Sequence, residues 1–295
     1  MYYKEKRKRE SALNTLFKRE NFTNEKFDII LLIGQSNAEG HGIGEVEKDY
    51  EPSESRMQLI DSYPVMYRPN DEGGESLDVP SETIYRITPA QENTRKSFGK
   101  QGCFAIYFAK EYYDAFLAES DRKTLIIRAA IGGTGFLRNQ WTPDGVLYKR
   151  ATEMLDIALG LNPENTLKAI LWHQGENEII DGRERGCEFL SSYYEGCLTG
   201  LISDLREGYG EVPFIAADFC EDWIPRYPRE SEAIKTGALA AIGKFSLTGF
   251  VETKGLGSND RIFIGKYPDD AHFNRPALYE LGKRYFGIYK EILKK

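Results

Sequence analysis

The chain has 295 residues, 41% of them hydrophobic, with 39 basic and 46 acidic side chains and a formal net charge of −7. That apolar content is ample for a globular core, and the acidic balance excludes a general nucleic-acid binder. The longest apolar runs, such as 104–109, fall far short of the length that spans a membrane.

The chain opens on a basic cluster, Lys4, Lys6, Arg7, Lys8 and Arg9, read as the solvated face of a helix over 4–19 with Leu13, Leu16 and Phe17 on its apolar side. This predicts a helical extension over 1–24 ahead of a single domain over 25–295. No apolar stretch follows the basic start, so no secretory signal is expected and a cytoplasmic location is. Residues 29–33 form a continuous, mostly β-branched run that stops at Gly34, the pattern of a strand buried on both faces. Gln35, Ser36 and Asn37 follow at its carboxyl end, where sites gather in open parallel sheets. Residues 45–100 are rich in Pro, Gly, Ser, Asp and Glu and read as a long functional rim, with short strand pieces such as 84–87 inside it.

Helical spacing returns over 102–118, where Phe104, Tyr107, Phe108, Tyr112 and Phe116 form an aromatic core stripe. A second buried strand, 124–130, ends in the glycine-rich 131–135. A helix over 147–161, a strand over 167–172 ending in His173-Gln-Gly-Glu176, a helix over 193–207, a strand over 213–218 and a helix over 231–244 complete the alternation. A loop over 253–271 precedes a last helix beginning near Pro276. Strands alternating with helices imply a parallel sheet covered on both faces, an α/β fold. The four cysteines have no paired spacing and read as buried free thiols, with a Cys187 to Cys197 bridge as the first alternative in an exported chain.

A serine at a strand end is a weak nucleophile that needs a base, and histidine suits the task. Of His41, His173 and His272, only His272 has a carboxylate, Asp269, three residues earlier on a turn able to hold its Nδ1. Acyl transfer also needs donors facing a developing oxyanion; a backbone N–H of Gly132 or Gly133 and the amide of Gln174 stand at strand ends able to supply them. His41 and His173 read as structural or rim residues, and no third ligand of suitable spacing accompanies His173 and Glu176 for a metal.

Gly34-Gln-Ser-Asn37, Gly132-Gly-Thr134 with Trp141 after it, Trp172-His-Gln-Gly-Glu176 and Asp269-x-x-His272-Phe together resemble the sialate O-acetylesterase and acetylxylan esterase branch of the SGNH hydrolases. The resemblance implies a three-layer α/β/α sandwich of flavodoxin-like topology and removal of acetyl esters from an acetylated carbohydrate, without cofactor or metal. It implies Ser36 as nucleophile, His272 as base and Asp269 as its orienter, with the Ser36 N–H, a glycine of the Gly132-Gly133 pair and Gln174 as the oxyanion hole. It lets Glu176 share or replace the role of Asp269 toward His272, and Gln35 and Asn37, from their place at the strand end, join Glu176 as histidine-orienting or substrate-binding candidates. Two positions depart from the family pattern: Ala38 stands where Met is usual and Glu178 where Asp is usual, both bearing on substrate preference. Other readings are an esterase of longer acyl chains, or a non-catalytic sugar-binding protein using Trp141, Trp223 and Tyr227 as platforms. Ser36 also lacks the Gly-x-Ser-x-Gly pattern of a strained nucleophile elbow, so a looser turn is expected.

Overall fold

The computed structural model describes residues 22–45, 57–61, 66–69, 75–78, 87–90, 103–262, 265 and 267–294. The expected helix over 4–19 and most of the rim over 45–100 lie outside them. The first apolar run forms strand β1 (Phe27–Gly34), and all of its residues are buried. Strands β2 (Met57–Asp61), β3 (Met66–Pro69), β4 (Glu75–Asp78) and β5 (Ile87–Pro89) come from the rim region. They are followed by β6 (Lys123–Arg128), β7 (Thr166–His173), β8 (Phe214–Ala217) and β9 (Thr248–Val251).

The main sheet runs β5-β2-β6-β1-β7-β8-β9 and is parallel except for β5, which pairs antiparallel at the edge. Strands β3 and β4 form a separate antiparallel ribbon. The five strands β6-β1-β7-β8-β9 follow the flavodoxin-like order, with the direction of winding reversing between β1 and β7. At that switch point Gly34 lies opposite His173, and the Gln35 N–H donates to the His173 carbonyl at 3.0 Å. Gly34 has φ +131°, and a Cβ there would stand 2.1 Å from the same carbonyl oxygen. Only glycine lets the two strand ends close to this distance.

Helices α1 (Ser36–Glu39), α2 (Phe104–Phe116), α3 (Val146–Leu161), α4 (Glu176–Gly182), α5 (Cys187–Tyr209), α6 (Pro228–Ile242) and α7 (Arg275–Ile292) complete the regular structure. The aromatic stripe of α2 packs on α7: Phe104 stacks on Tyr285 at 4.5 Å, Tyr107 meets Tyr279 edge-on at 4.2 Å, and Phe108 meets Phe286 at 5.8 Å. Each such buried ring contributes about 1.5–3 kcal/mol. Phe116, the last of the stripe, is exposed although it touches Phe286 and Tyr289. Helices α3, α5 and α6 form the other layer, with Tyr209 of α5 donating to Asp156 of α3 at 2.9 Å. Asn274 caps α7 by accepting from the Ala277 N–H at 3.0 Å, a bond worth about 1 kcal/mol that also fixes where the preceding loop ends.

The four cysteines are free, as the sequence reading has them, but Cys187 and Cys197 are half-buried rather than buried, and these two lie on one helix, ten positions apart. A rise of about 1.5 Å per residue sets them about 15 Å from each other, which excludes a bridge. Trp141 and Trp223 are buried, Trp141 with its Nε1 donating to Thr134 Oγ1 at 3.0 Å, so neither offers a face to a sugar. A 3₁₀ turn at Ile224–Arg226 lies between β8 and α6, and α6 begins at Pro228, three residues ahead of the helix expected over 231–244.

Candidate active site

Ser36 is the first residue of α1, immediately beyond β1, and is 8% exposed. Among the described residues only Asn139 and Leu247 have positive φ outside glycine, so the serine sits on an unstrained turn as its flanking residues predicted. Gly132, beyond β6, lies against it: a Cβ on Gly132 would be 3.3 Å from the Ser36 Cβ. Gln174 and Glu176 follow β7, and Asp269 and His272 lie in the loop before α7. All of these positions meet at the carboxyl edge of the sheet, around the switch point.

Asn37 ties the serine turn to the histidine. Its Nδ2 donates to the Ala271 carbonyl at 2.9 Å and its Oδ1 accepts from the Phe273 N–H at 3.1 Å, so one side chain holds the backbone on both sides of His272. The same Nδ2 donates to Glu176 Oε1 at 2.7 Å. His272 Nδ1 lies 2.6 Å from Asp269 Oδ1, the contact that the spacing predicts. Burial raises the Asp269 pKa, but the hydrogen bonds from His272 and Asn259 outweigh it and hold the carboxyl below its usual range. Asp270 turns away to Arg226, 3.1 Å distant.

Glu176 is buried, and burial raises its pKa against the opposing pull of its backbone hydrogen bond, of Asn37 and of His272. Among the described residues its Oε2 has no hydrogen-bond partner. The Gln174 amide nitrogen donates to Gln35 Oε1 at 3.0 Å, to the Thr134 carbonyl at 3.1 Å and to Glu178. Glu178 also accepts from the Phe136 and Leu137 N–H groups, so it joins Gln174 to the loop after β6. Burial pushes the Glu178 carboxyl up to about 7, against those donors. His173 is buried and driven down to about 3 by the same effect, so it is a neutral packing residue with Nδ1 3.3 Å from the Tyr285 hydroxyl.

Two residues in the site carry no signal in the sequence. Asn259 is buried; its Nδ2 donates to Asp269 Oδ2 at 2.8 Å and to the His41 carbonyl at 3.0 Å, and its N–H donates to the His272 carbonyl at 2.8 Å. Glu39 accepts the Gly132 N–H at 2.7 Å. An Asn in a glycine-rich loop and a Glu in a turn have no periodicity to mark them.

A model of carbohydrate esterases, described as sialic acid-specific acetylesterases, matches residues 26–291. The chain belongs to this family. The esterase is accordingly a carboxylic ester hydrolase that removes O-acetyl groups from sugars. Among solved structures the esterase is similar to NanS, at 15% identity over 92% of this chain and 98% of that one, with a TM-score of 0.66. A protein of Arabidopsis thaliana matches at 18% identity over 91% and 98%, with a TM-score of 0.61. A carbohydrate acetylesterase from Xanthomonas citri matches at 16% identity over 90% of this chain and 56% of that one, with a TM-score of 0.53. At these identities the likeness is one of fold. Among curated protein sequences none matches the esterase. No helix among its described residues is long and apolar enough to cross a membrane.

Proposed function

We propose that the esterase works through a serine acyl-enzyme, with Ser36 as nucleophile, His272 as base and Asp269 as the group that orients it. The observation that carries this reading is the 2.6 Å contact of Asp269 with His272, on a segment that Asn37 locks beside the serine turn. Asp269 accepts a hydrogen bond from the Nδ1–H, which keeps that proton on Nδ1 and leaves the other ring nitrogen as the acceptor a nucleophile needs. Ser36 Oγ attacks the acetyl carbonyl and its proton passes to His272. The tetrahedral adduct collapses, the C–O bond to the sugar breaks, and the departing oxygen takes that proton. Water then attacks the acetyl-serine, gives a proton to His272, and acetate leaves as Ser36 regains its hydrogen.

For the oxyanion we assign the Ser36 N–H, the Gly133 N–H and the Gln174 amide. The Gly132 N–H is engaged with Glu39, which leaves Gly133 as the donor of the pair. Gln174 has two amide hydrogens and three acceptors around them, so a substrate oxygen competes with an existing partner. Gln35 and Glu176 support this arrangement, Gln35 by accepting from Gln174 and Glu176 by holding Asn37.

The reading is tested with an aryl acetate and a serine-reactive phosphonate. Ser36→Ala should lose nearly all turnover and all labelling while keeping its circular dichroism spectrum; normal turnover in that variant removes the serine mechanism. A panel of acetylated sialic acids and xylo-oligosaccharides identifies the sugar, and butyrate and octanoate esters test the rival acyl class.

A further inference from the structure

Beside the assigned triad stands a second histidine and carboxylate that the mechanism leaves unused. The His41 ring stacks on that of His272 with centroids 4.7 Å apart and planes 20° from parallel. His41 Nε2 is 3.4 Å from Glu39 Oε2, and that same oxygen accepts the Gly132 N–H at 2.7 Å. Glu39 is buried, three residues after Ser36 on α1, and its backbone carbonyl accepts from Arg128 at 3.1 Å. A Cβ on Gly132 would be 3.1 Å from Glu39 Oε2 and 3.3 Å from the Ser36 Cβ, so the carboxylate and the serine flank the same glycine. The Asn259 amide closes the other side by donating to the His41 carbonyl and to Asp269.

We propose that Glu39 and His41 are positioning residues of the acyl-transfer site: Glu39 clamps the loop after β6 through the Gly132 N–H and anchors His41, whose ring supports one face of His272. The inference rests on the serine reading above. A ring held only by a carboxylate at Nδ1 can still rock about that bond. A parallel ring at stacking distance restricts that motion, and the hydrogen bond that the Gly132 N–H donates to the buried Glu39 side chain fixes where the glycine loop meets the serine. Both effects act on the geometry of the reacting groups, with no contact to the sugar required.

The test compares kcat and KM on an aryl acetate for wild type, Ser36→Ala, Glu39→Ala, Glu39→Gln, His41→Ala and His41→Phe. Glu39→Ala and His41→Ala are expected to lower kcat about tenfold or more with KM little changed, as befits lost alignment. His41→Phe, which keeps a ring, recovers most of what His41→Ala loses, and Glu39→Gln, which keeps an acceptor oxygen, does the same for Glu39→Ala. If both alanine variants stay within about twofold of wild type in kcat, or if only KM moves, the proposal is overturned. A wild type without turnover and without phosphonate labelling sinks the serine reading instead. The clamp is then judged by hydrogen exchange at the Gly132 amide: faster exchange in Glu39→Ala supports it, and an unchanged rate overturns it.

Discussion

Asp269 Oδ1 lies 2.6 Å from His272 Nδ1, while the other nearby carboxylate, Glu176, turns its Oε1 to Asn37 at 2.7 Å. The two acids thus divide their work: Asp269 holds the ring, and Glu176 holds the residue that holds the ring's backbone. Asp269→Asn should therefore lower kcat on an aryl acetate by about 10²–10⁴-fold, since it disrupts the tautomer and the stabilisation of the imidazolium. Glu176→Gln, which keeps an acceptor for Asn37, should cost far less. Equal losses in the two variants would move the orienting role to Glu176.

Gln174 is assigned to the oxyanion, and its truncation separates transition-state from ground-state contacts. Gln174→Ala is expected to lower kcat about 10²–10³-fold with KM nearly constant. A rise in KM alone would make it a substrate-binding residue. Because its amide also joins Gln35, Thr134 and Glu178, a thermal melt on the same variant checks that the loops remain in place.

Two buried groups give opposed pH dependences of stability. Glu178 is raised to about 7 in the fold from an ordinary 4.5, so its contribution is fully present below 4.5 and is lost as pH rises through about 7. The loss is on the order of 3 kcal/mol. His173 is lowered to about 3 from 6.5, so its contribution is present above 6.5 and is lost as pH falls toward 3. Between 4.5 and 6.5 the two slopes cancel in the wild type. Urea titrations across this window should show Glu178→Gln gaining stability relative to wild type as pH rises. His173→Asn should change in the opposite sense, gaining relative to wild type as pH falls. Parallel curves for wild type and Glu178→Gln would show that Glu178 titrates normally.

At the amino edge of the sheet, Asp28 is buried and accepts from the Tyr112 hydroxyl at 2.6 Å and from Arg122. Burial and the neighbouring Asp28 carboxylate raise the Tyr112 hydroxyl well above its ordinary range, so it remains a donor. Tyr112→Phe leaves Asp28 with Arg122 and the Thr166 hydroxyl, 3.5 Å from Oδ1, and should cost about 1–2 kcal/mol in urea denaturation, without effect on kcat. A cost near zero would mean that Arg122 and Thr166 satisfy the carboxylate by themselves.

The parts of the fold that were legible share a physical cause. β1, β6, β7 and β8 stand out because a strand buried on both faces carries a near-continuous apolar run, and the aromatic spacing of α2 marks a helix with one face in the core. β9 escaped because it is a four-residue edge strand, mostly half-buried and containing a glycine. α4 is only seven residues long and starts inside the Gln-Gly-Glu motif, which left it little room for periodicity. The first six residues of α5 were missed because only Leu190 among them is fully buried.

The sequence by itself determined which chemical groups stand at which strand ends: a serine after the first buried strand, glycines after the second, Gln and Glu after the third, and Asp and His ahead of the last helix. That information is local, since strand ends and turns are set by neighbouring residues. The tertiary structure alone decided who binds whom. Asn37 and Phe273 are 236 residues apart in the chain, and Glu39 reaches a glycine 93 residues on. Such partners are chosen by how the parallel strands register at the switch point between β1 and β7. A side chain's neighbours there belong to other strands, and no spacing within one segment encodes them.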